Sequence, residues 1–269
     1  MSTFNQTLPL DLLALYKNQQ VNNTSEFCDI AKQFVIEDLV AAYRKLCNSA
    51  PNRHENNKQY FVNHTGITSS KAHSNRREEH LAVALWNHSQ EDGALVMPDG
   101  RNLRLLDYQF PLKARQSDKG VGKLDLFGLI DSKACVIELK IHPSGKGRSD
   151  TPLRAFLEAL AYCAVVEANA NDIAVEASNR FGQKFSAAQP ALIVMAPEEY
   201  WSDYLGHQSA GDWWSMLQHL AAQLDIALGL ESHFIVLRSS DFTLGLQGQK
   251  PQLNQDCTLV GLSDYIQQQ

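Results

Sequence analysis

Two apolar runs dominate the middle of the chain: Leu124-Asp125-Leu126-Phe127-Gly128-Leu129-Ile130 and Ala134-Cys135-Val136-Ile137-Glu138-Leu139-Lys140-Ile141, separated by Asp131-Ser132-Lys133. Neither alternates apolar and polar residues as a strand with one wet face does. Near-continuous Val, Ile and Leu are what strands covered on both faces need, so the feature demands a sheet with layers packed above and below it. A chain of 269 residues is long enough to supply them. If Asp131-Ser132 forms the turn, Ile130 pairs with Lys133, and continuing that register sets Asp125 opposite Glu138; a four-residue loop on the same centre gives the same pairing. The two Cβ atoms then lie about 4.5–5.5 Å apart. Lys140, two residues beyond Glu138, points to the same face.

The flanking sequence gives an α/β order. Residues 8–20 and 26–48 read as two amphipathic helices, the second through Phe27, Ile30, Ala31, Phe34, Leu39, Ala42 and Leu46. Residues 49–73 are polar apart from Tyr60-Phe61-Val62 and read as a linker or mobile loop. Ser74 or Asn75 caps a helix over Arg76–His88. Strands are predicted over 101–112, 122–130, 133–141, 191–196 and 233–238, and helices over 151–168 and 212–228. Residues 242–253 suggest an edge strand or hairpin. The expected division is a helical N-terminal region and linker, 1–70, and a catalytic domain, 71–269.

Opposed carboxylates on buried strands repel, and something must offset that repulsion. A hard cation such as Mg²⁺ does so, because it takes one or two carboxylates and completes its shell with waters and phosphate oxygens. It can acidify a water and polarise a phosphate, while the Lys140 ammonium orients the nucleophile or stabilises developing charge. The three side chains suffice for phosphodiester hydrolysis.

Asp125 followed by Glu138-Leu139-Lys140 resembles the D…ExK signature of the PD-(D/E)xK nuclease superfamily, with Leu124 where the name-giving motif has Pro. The resemblance covers about residues 74–196. It implies a restriction-endonuclease-like core, a central mixed β-sheet flanked by helices, here with an N-terminal helical annex. It further implies that Asp125 and Glu138 bind Mg²⁺ or Mn²⁺ together with the Leu139 carbonyl, and that Lys140 assists the attacking water. Superfamily members often place another acid near the metal from the first core helix, which makes Glu78, or its rival Glu79, a candidate ligand. Glu158 and Tyr162 resemble a Gln-x-x-x-Tyr element with Glu in place of Gln; their spacing equally fits a plain pair on a helix surface. The implied activity is a metal-dependent DNA endonuclease; the alternative is an inactive, nuclease-like binding or scaffolding subunit.

Charge bears on the partner. The net charge of −6 is unevenly spread, with 19 Lys and Arg against 17 Asp and Glu over residues 1–150 and 5 against 13 thereafter. Residues 44–77 carry Arg44, Lys45, Arg53, Lys58, Lys71, Arg76 and Arg77 against Glu55 alone, a candidate phosphate-facing segment and equally a solvated linker. Lys123, Lys146, Arg148, Arg76 and Arg77 are the candidate contacts to nucleic acid, with Lys113, Arg115 and Lys119 adding positive potential. A homodimer or a partner protein is expected by analogy with enzymes that cut both strands. Tyr200, Trp201, Tyr204, Trp213 and Trp214 suit either base stacking or core anchoring. Five cysteines at wide spacings, with no CxxC and no HExxH, argue against a disulfide framework and a zinc site. No run reaches the length of a membrane span, and Met1-Ser2-Thr3-Phe4-Asn5 does not open like a signal peptide, so a cytoplasmic location is expected.

Overall fold

The computed structural model describes residues 11–68, 77–91, 93–142, 149–207, 211–238, 242–243, 250–253 and 257–269. Its centre is the hairpin of β3 (Lys123–Ile130) and β4 (Lys133–Leu139), paired from Ile130↔Lys133 to Leu126↔Ile137. Asp131 turns the chain at φ +53°, a left-handed conformation that Asp tolerates better than most residues. On one side lie β2 (Asn102–Pro111), antiparallel to β3, and the short edge strand β1 (Leu95–Val96). On the other side β5 (Ser186–Pro197) and β6 (Glu231–Leu237) run parallel to β4, and β9 (Leu259–Gly261) closes that edge antiparallel to β6. The order is β1-β2-β3-β4-β5-β6-β9, a mixed seven-stranded sheet. Phe242–Thr243 (β7) and Gln252–Leu253 (β8) pair separately, the hairpin expected for that segment.

Both parallel connections are helical, as parallel strands require. α5 (Pro152–Ala168) and α6 (Ala170–Phe181) link β4 to β5; α7 (Glu198–Leu205) and α8 (Trp213–Leu228) link β5 to β6. Thr151 caps α5 by accepting from the Arg154 N–H, with Pro152 at the first helical position, and Asp212 caps α8 through the Ser215 N–H. α4 (Arg77–Glu91) precedes β1, and α9 (Leu262–Gln267) ends the chain.

Alternation along the strands sorts two cores. Phe127, Leu129, Ala134, Val136, Leu192 and Val194 pack with α5 and α8, whereas Leu126, Ile130, Cys135, Ile137 and Leu139 pack with Leu81, Ala82 and Leu85 of α4. Both faces are therefore covered, as the apolar runs demanded. All five cysteines are free. Among the described residues no helix is long and apolar enough to cross a membrane.

Three expectations for the N-terminal part are corrected. The helix expected over 26–48 is two: α2 (Phe27–Ala31) and α3 (Ile36–Ser49), broken at the extended Val35. The break lets Phe27 meet Tyr204 and Trp213 while Leu39, Tyr43 and Leu46 are also buried. With α1 (Leu12–Leu15), these helices join the same apolar cluster as α5. The stretch read as a linker is anchored over its described part: Tyr60 and Phe61 are fully buried against Phe110, and the N–H groups of both donate to the Glu176 carboxylate. Finally, Arg53 of the basic segment is buried rather than solvent-facing. Buried Arg53 donates to the Gln59 and Lys113 carbonyls, and Lys58 to that of Ala114, so both satisfy backbone acceptors.

The aromatic group is a core anchor. Trp201 and Trp213 stack 6.3 Å apart, and the Trp201 indole N–H donates to the Ala196 and Ile235 carbonyls.

Candidate metal centre

The ladder between β3 and β4 stops one pair short of Asp125 and Glu138. There the Asp125 side chain replaces a backbone partner, its Oδ2 accepting the Leu139 N–H at 3.0 Å. Its Oδ1 accepts from the Gln109 amide at 3.3 Å, and Gln109 lies in β2 at φ +49°, an uncommon conformation for a residue with a side chain. β4 then leans on its other neighbour, the Lys140 N–H donating to the Met195 carbonyl at 2.9 Å. The hairpin register thus delivers the two acids to one place and then opens between them.

Alternation puts Glu138 and Lys140 on the face of Ala134 and Val136, beneath α5. Lys140 Nζ lies 2.6 Å from Glu138 Oε1, 3.2 Å from Glu78 Oε1, 3.8 Å from Asp150 Oδ2 and 3.9 Å from Glu158 Oε2. The Lys140 and Glu138 side chains are 6% and 5% exposed, whereas Glu78, at 36%, opens toward solvent. Arg154 meets Asp150 at 2.7 Å. Among the described residues five carboxylates therefore surround two cations, an excess of negative charge in a largely dry place.

Ionisation responds accordingly. Burial, aided by the field of Glu78, pushes the Asp125 carboxyl up to about 7 against the pull of Lys140 and the Leu139 N–H. Burial also raises Glu138 well above the usual carboxylate range despite Lys140 beside it, and raises Glu78. For Lys140, burial alone would favour the neutral amine, but Glu138, Glu78, Glu158 and Asp125 together overrule it and hold the ammonium.

The residues present fit a hard cation. One oxygen from each of Glu78, Asp125 and Glu138 lies within 4.8 Å of the others. Glu138 Oε2 is buried and accepts no hydrogen bond from the described residues, because Lys140 engages only Oε1. An orphaned carboxylate oxygen in such a place costs several kcal/mol unless something positive reaches it. All the donors are oxygens, the set that Mg²⁺ and Mn²⁺ favour over zinc.

Of the rival glutamates, Glu78 joins the cluster and Glu79 does not. Glu158 and Tyr162 are not a surface pair. Thirteen of the 17 residues of α5 are buried, Tyr162 among them, and the Tyr162 hydroxyl donates to Glu158 Oε1 at 3.2 Å. Glu158 stands in this apolar helix because Tyr162 and Lys140 receive it. Lys123, at the start of β3, and Arg77, next to Glu78, are both exposed. Arg76, Lys146 and Arg148 lie outside the described residues, as do Ser74 and Asn75. Sequence reasoning missed Asp150, Arg154 and Gln109. Asp150 and Arg154 carry an i, i+4 acid–base spacing on entry to a helix, a signal too common to single them out.

The chain matches no known family model, no curated protein and no solved structure.

Proposed function

We propose that this chain is a divalent-cation-dependent nuclease that hydrolyses phosphodiester bonds, with DNA as substrate and endonucleolytic cleavage as its mode. The observation that carries the reading is the buried Glu138 Oε2, without a hydrogen bond among the described residues, on a carboxylate that clusters with Asp125 and Glu78 and is held by the Lys140 ammonium through its other oxygen. A purely structural salt-bridge cluster would satisfy its buried acceptors and balance its charge, and this one does neither. The order α4, β2-β3-β4, α5 and β5, with the short β1 after α4 and α6 after α5, supports the same reading, since a helix, a three-stranded meander, a crossover helix and a parallel strand make up a restriction-endonuclease-like core.

Glu78, Asp125 and Glu138 would hold Mg²⁺ or Mn²⁺, with the Leu139 carbonyl as a further oxygen. The bound cation supplies Lewis-acid stabilisation of phosphate charge and an acidified water. Lys140, kept charged by its carboxylates, donates to the attacking oxygen or to charge developing on the phosphoryl group. Asp125 is positioned by its two hydrogen bonds, so it enters the reaction already oriented. Lys123 and Arg77, with Arg76, Lys146 and Arg148, grip the nucleic-acid backbone. A homodimer, or a partner protein, would bring the second active site needed for the opposite strand.

The test is cleavage of supercoiled, linear and single-stranded DNA and of RNA with Mg²⁺ or Mn²⁺, by the wild type beside Asp125→Ala and Lys140→Ala. Cation-dependent nicking by the wild type alone is expected. Cleavage surviving in both variants contradicts the assignment, and binding without cleavage on every substrate favours the scaffolding subunit.

A further inference from the structure

Tyr16 and Asn22 belong to the N-terminal segment, which the D…ExK site does not need by sequence, yet their polar groups end at it. The Tyr16 hydroxyl donates to the Gly120 carbonyl at 2.6 Å, in the loop that leads to the Asp125 strand. Tyr16 packs edge to face on Tyr162 with ring centroids 6.3 Å apart, and the Tyr162 hydroxyl donates to Glu158 Oε1. Space for this pair exists because residue 122 is Gly: a Cβ there would lie 2.8 Å from the Tyr162 hydroxyl oxygen. Asn22 braces the other acid, its amide donating to Asp150 Oδ1 at 2.9 Å and its carbonyl oxygen accepting the Thr151 N–H at 2.9 Å.

We infer that Tyr16 and Asn22 are positioning residues of the cation centre: through Tyr162 and by a direct bond they hold Glu158 and Asp150 beside Lys140, so that the ammonium is shared among several acids and Glu138 Oε2 is left for the cation. The inference rests on the reading of this site as a cation centre. Glu158 and Asp150 stand 3.9 and 3.8 Å from Lys140 Nζ, against 2.6 Å for Glu138. If either acid swings away, the ammonium settles deeper among Glu138, Asp125 and Glu78 and competes with the cation. The N-terminal helices are then part of the active centre rather than an appended module.

Tyr16→Phe keeps the ring and its packing and removes only the hydroxyl; Asn22→Ala removes both braces at α5. The experiment titrates Mn²⁺ into the full-length wild type, Tyr16→Phe, Asn22→Ala and Tyr16→Phe/Tyr162→Phe, read by calorimetry and Mn²⁺ spin resonance, with a thermal melt of each. Removing partners that orient a metal site costs about 10–100-fold in affinity, and Tyr16 acts through a further residue, so a loss of about tenfold is expected with an unchanged melting temperature. The double variant, which also removes the Tyr162 bond to Glu158, should bind at least as weakly as Tyr16→Phe. Wild-type affinity in Tyr16→Phe and Asn22→Ala overturns the inference and leaves the cation centre standing. Affinity that falls only in step with stability overturns it as well. A wild type that binds no Mn²⁺ overturns the cation centre itself, and this inference with it.

Discussion

Asp125→Asn should make the metal-free protein more stable while abolishing its function. Burial and the field of Glu78 push the Asp125 carboxyl up to about 7, from an ordinary value of 3.8. A tenfold change in a proton-binding constant corresponds to about 1.4 kcal/mol, so keeping this group ionised at pH 8 costs the folded state about 4 kcal/mol. Asp125 retains some accessible surface, and discounting for solvent screening leaves about 2–4 kcal/mol. Asparagine keeps the shape, and its carbonyl oxygen can still accept the Leu139 N–H. Because the folded-state value lies above the unfolded one, the cost is absent below about pH 4, builds as pH rises through about 7, and is complete above it. For a chain of this size the gain corresponds to a melting temperature about 5–10 °C higher for the variant at pH 8 in chelator. At pH 5 the gap should shrink to less than half. Adding Mg²⁺ should reverse the order, since a ligand at one hundred times its Kd stabilises the wild type by about 2.7 kcal/mol and the variant lacks a carboxylate to bind it. Scanning calorimetry at both pH values, with and without Mg²⁺, reads all of this. A variant melting at or below the wild type at pH 8 in chelator would refute the electrostatic account of the site.

Three further outcomes are expected. Lys140→Met should abolish cleavage and, in chelator at pH 8, cost about 3–5 kcal/mol, because it strands Glu138 as an unpaired buried charge; denaturant melts and a nicking assay read the two effects. Glu78→Gln should weaken Mn²⁺ binding about tenfold or more whereas Glu79→Gln leaves it unchanged, and equal effects in a calorimetric titration would contradict the choice between them. Phe61→Ala should cost about 3–5 kcal/mol of unfolding free energy, since the ring packs against Phe110, Phe127 and Phe181; a loss under about 1 kcal/mol would mean that the 49–68 segment is not anchored as described.

How much was legible from sequence follows from the range of the forces involved. The β3–β4 register was readable because it depends on a two-residue turn and a period of two, both local, and strands β2 to β6 and helices α5 and α8 followed from apolar patterning, whereas α6, α7, β9 and α9 were not read. The pairing of Asp125 and Glu138 was read as an unbroken ladder. The structure instead ends the ladder at Leu126↔Ile137 and passes the Leu139 N–H to Asp125, a substitution of side chain for backbone that no pattern announces. The parting of α2 from α3 at Val35 was hidden because each half is amphipathic by itself, and only the partners, Trp213 and Tyr204 for Phe27, reveal two different faces. Arg53 looked like a surface cation because sequence displays charge but not the carbonyls of Gln59 and Lys113 that receive it in the fold. Asn22 and Tyr16 were invisible as site residues for the same reason: they reach it through contacts more than 100 residues apart in sequence.

The central claim is that Glu78, Asp125 and Glu138 form a cation centre, and it meets its most direct test in a crystal of this protein soaked in Mn²⁺ and measured at the manganese absorption edge. The account predicts a single strong anomalous peak bonded to carboxylate oxygens of Asp125 and Glu138, with Glu138 Oε2 among them, and no such peak in Asp125→Asn crystals. An empty site in fully soaked wild-type crystals, with Lys140 alone satisfying Glu138, would contradict it.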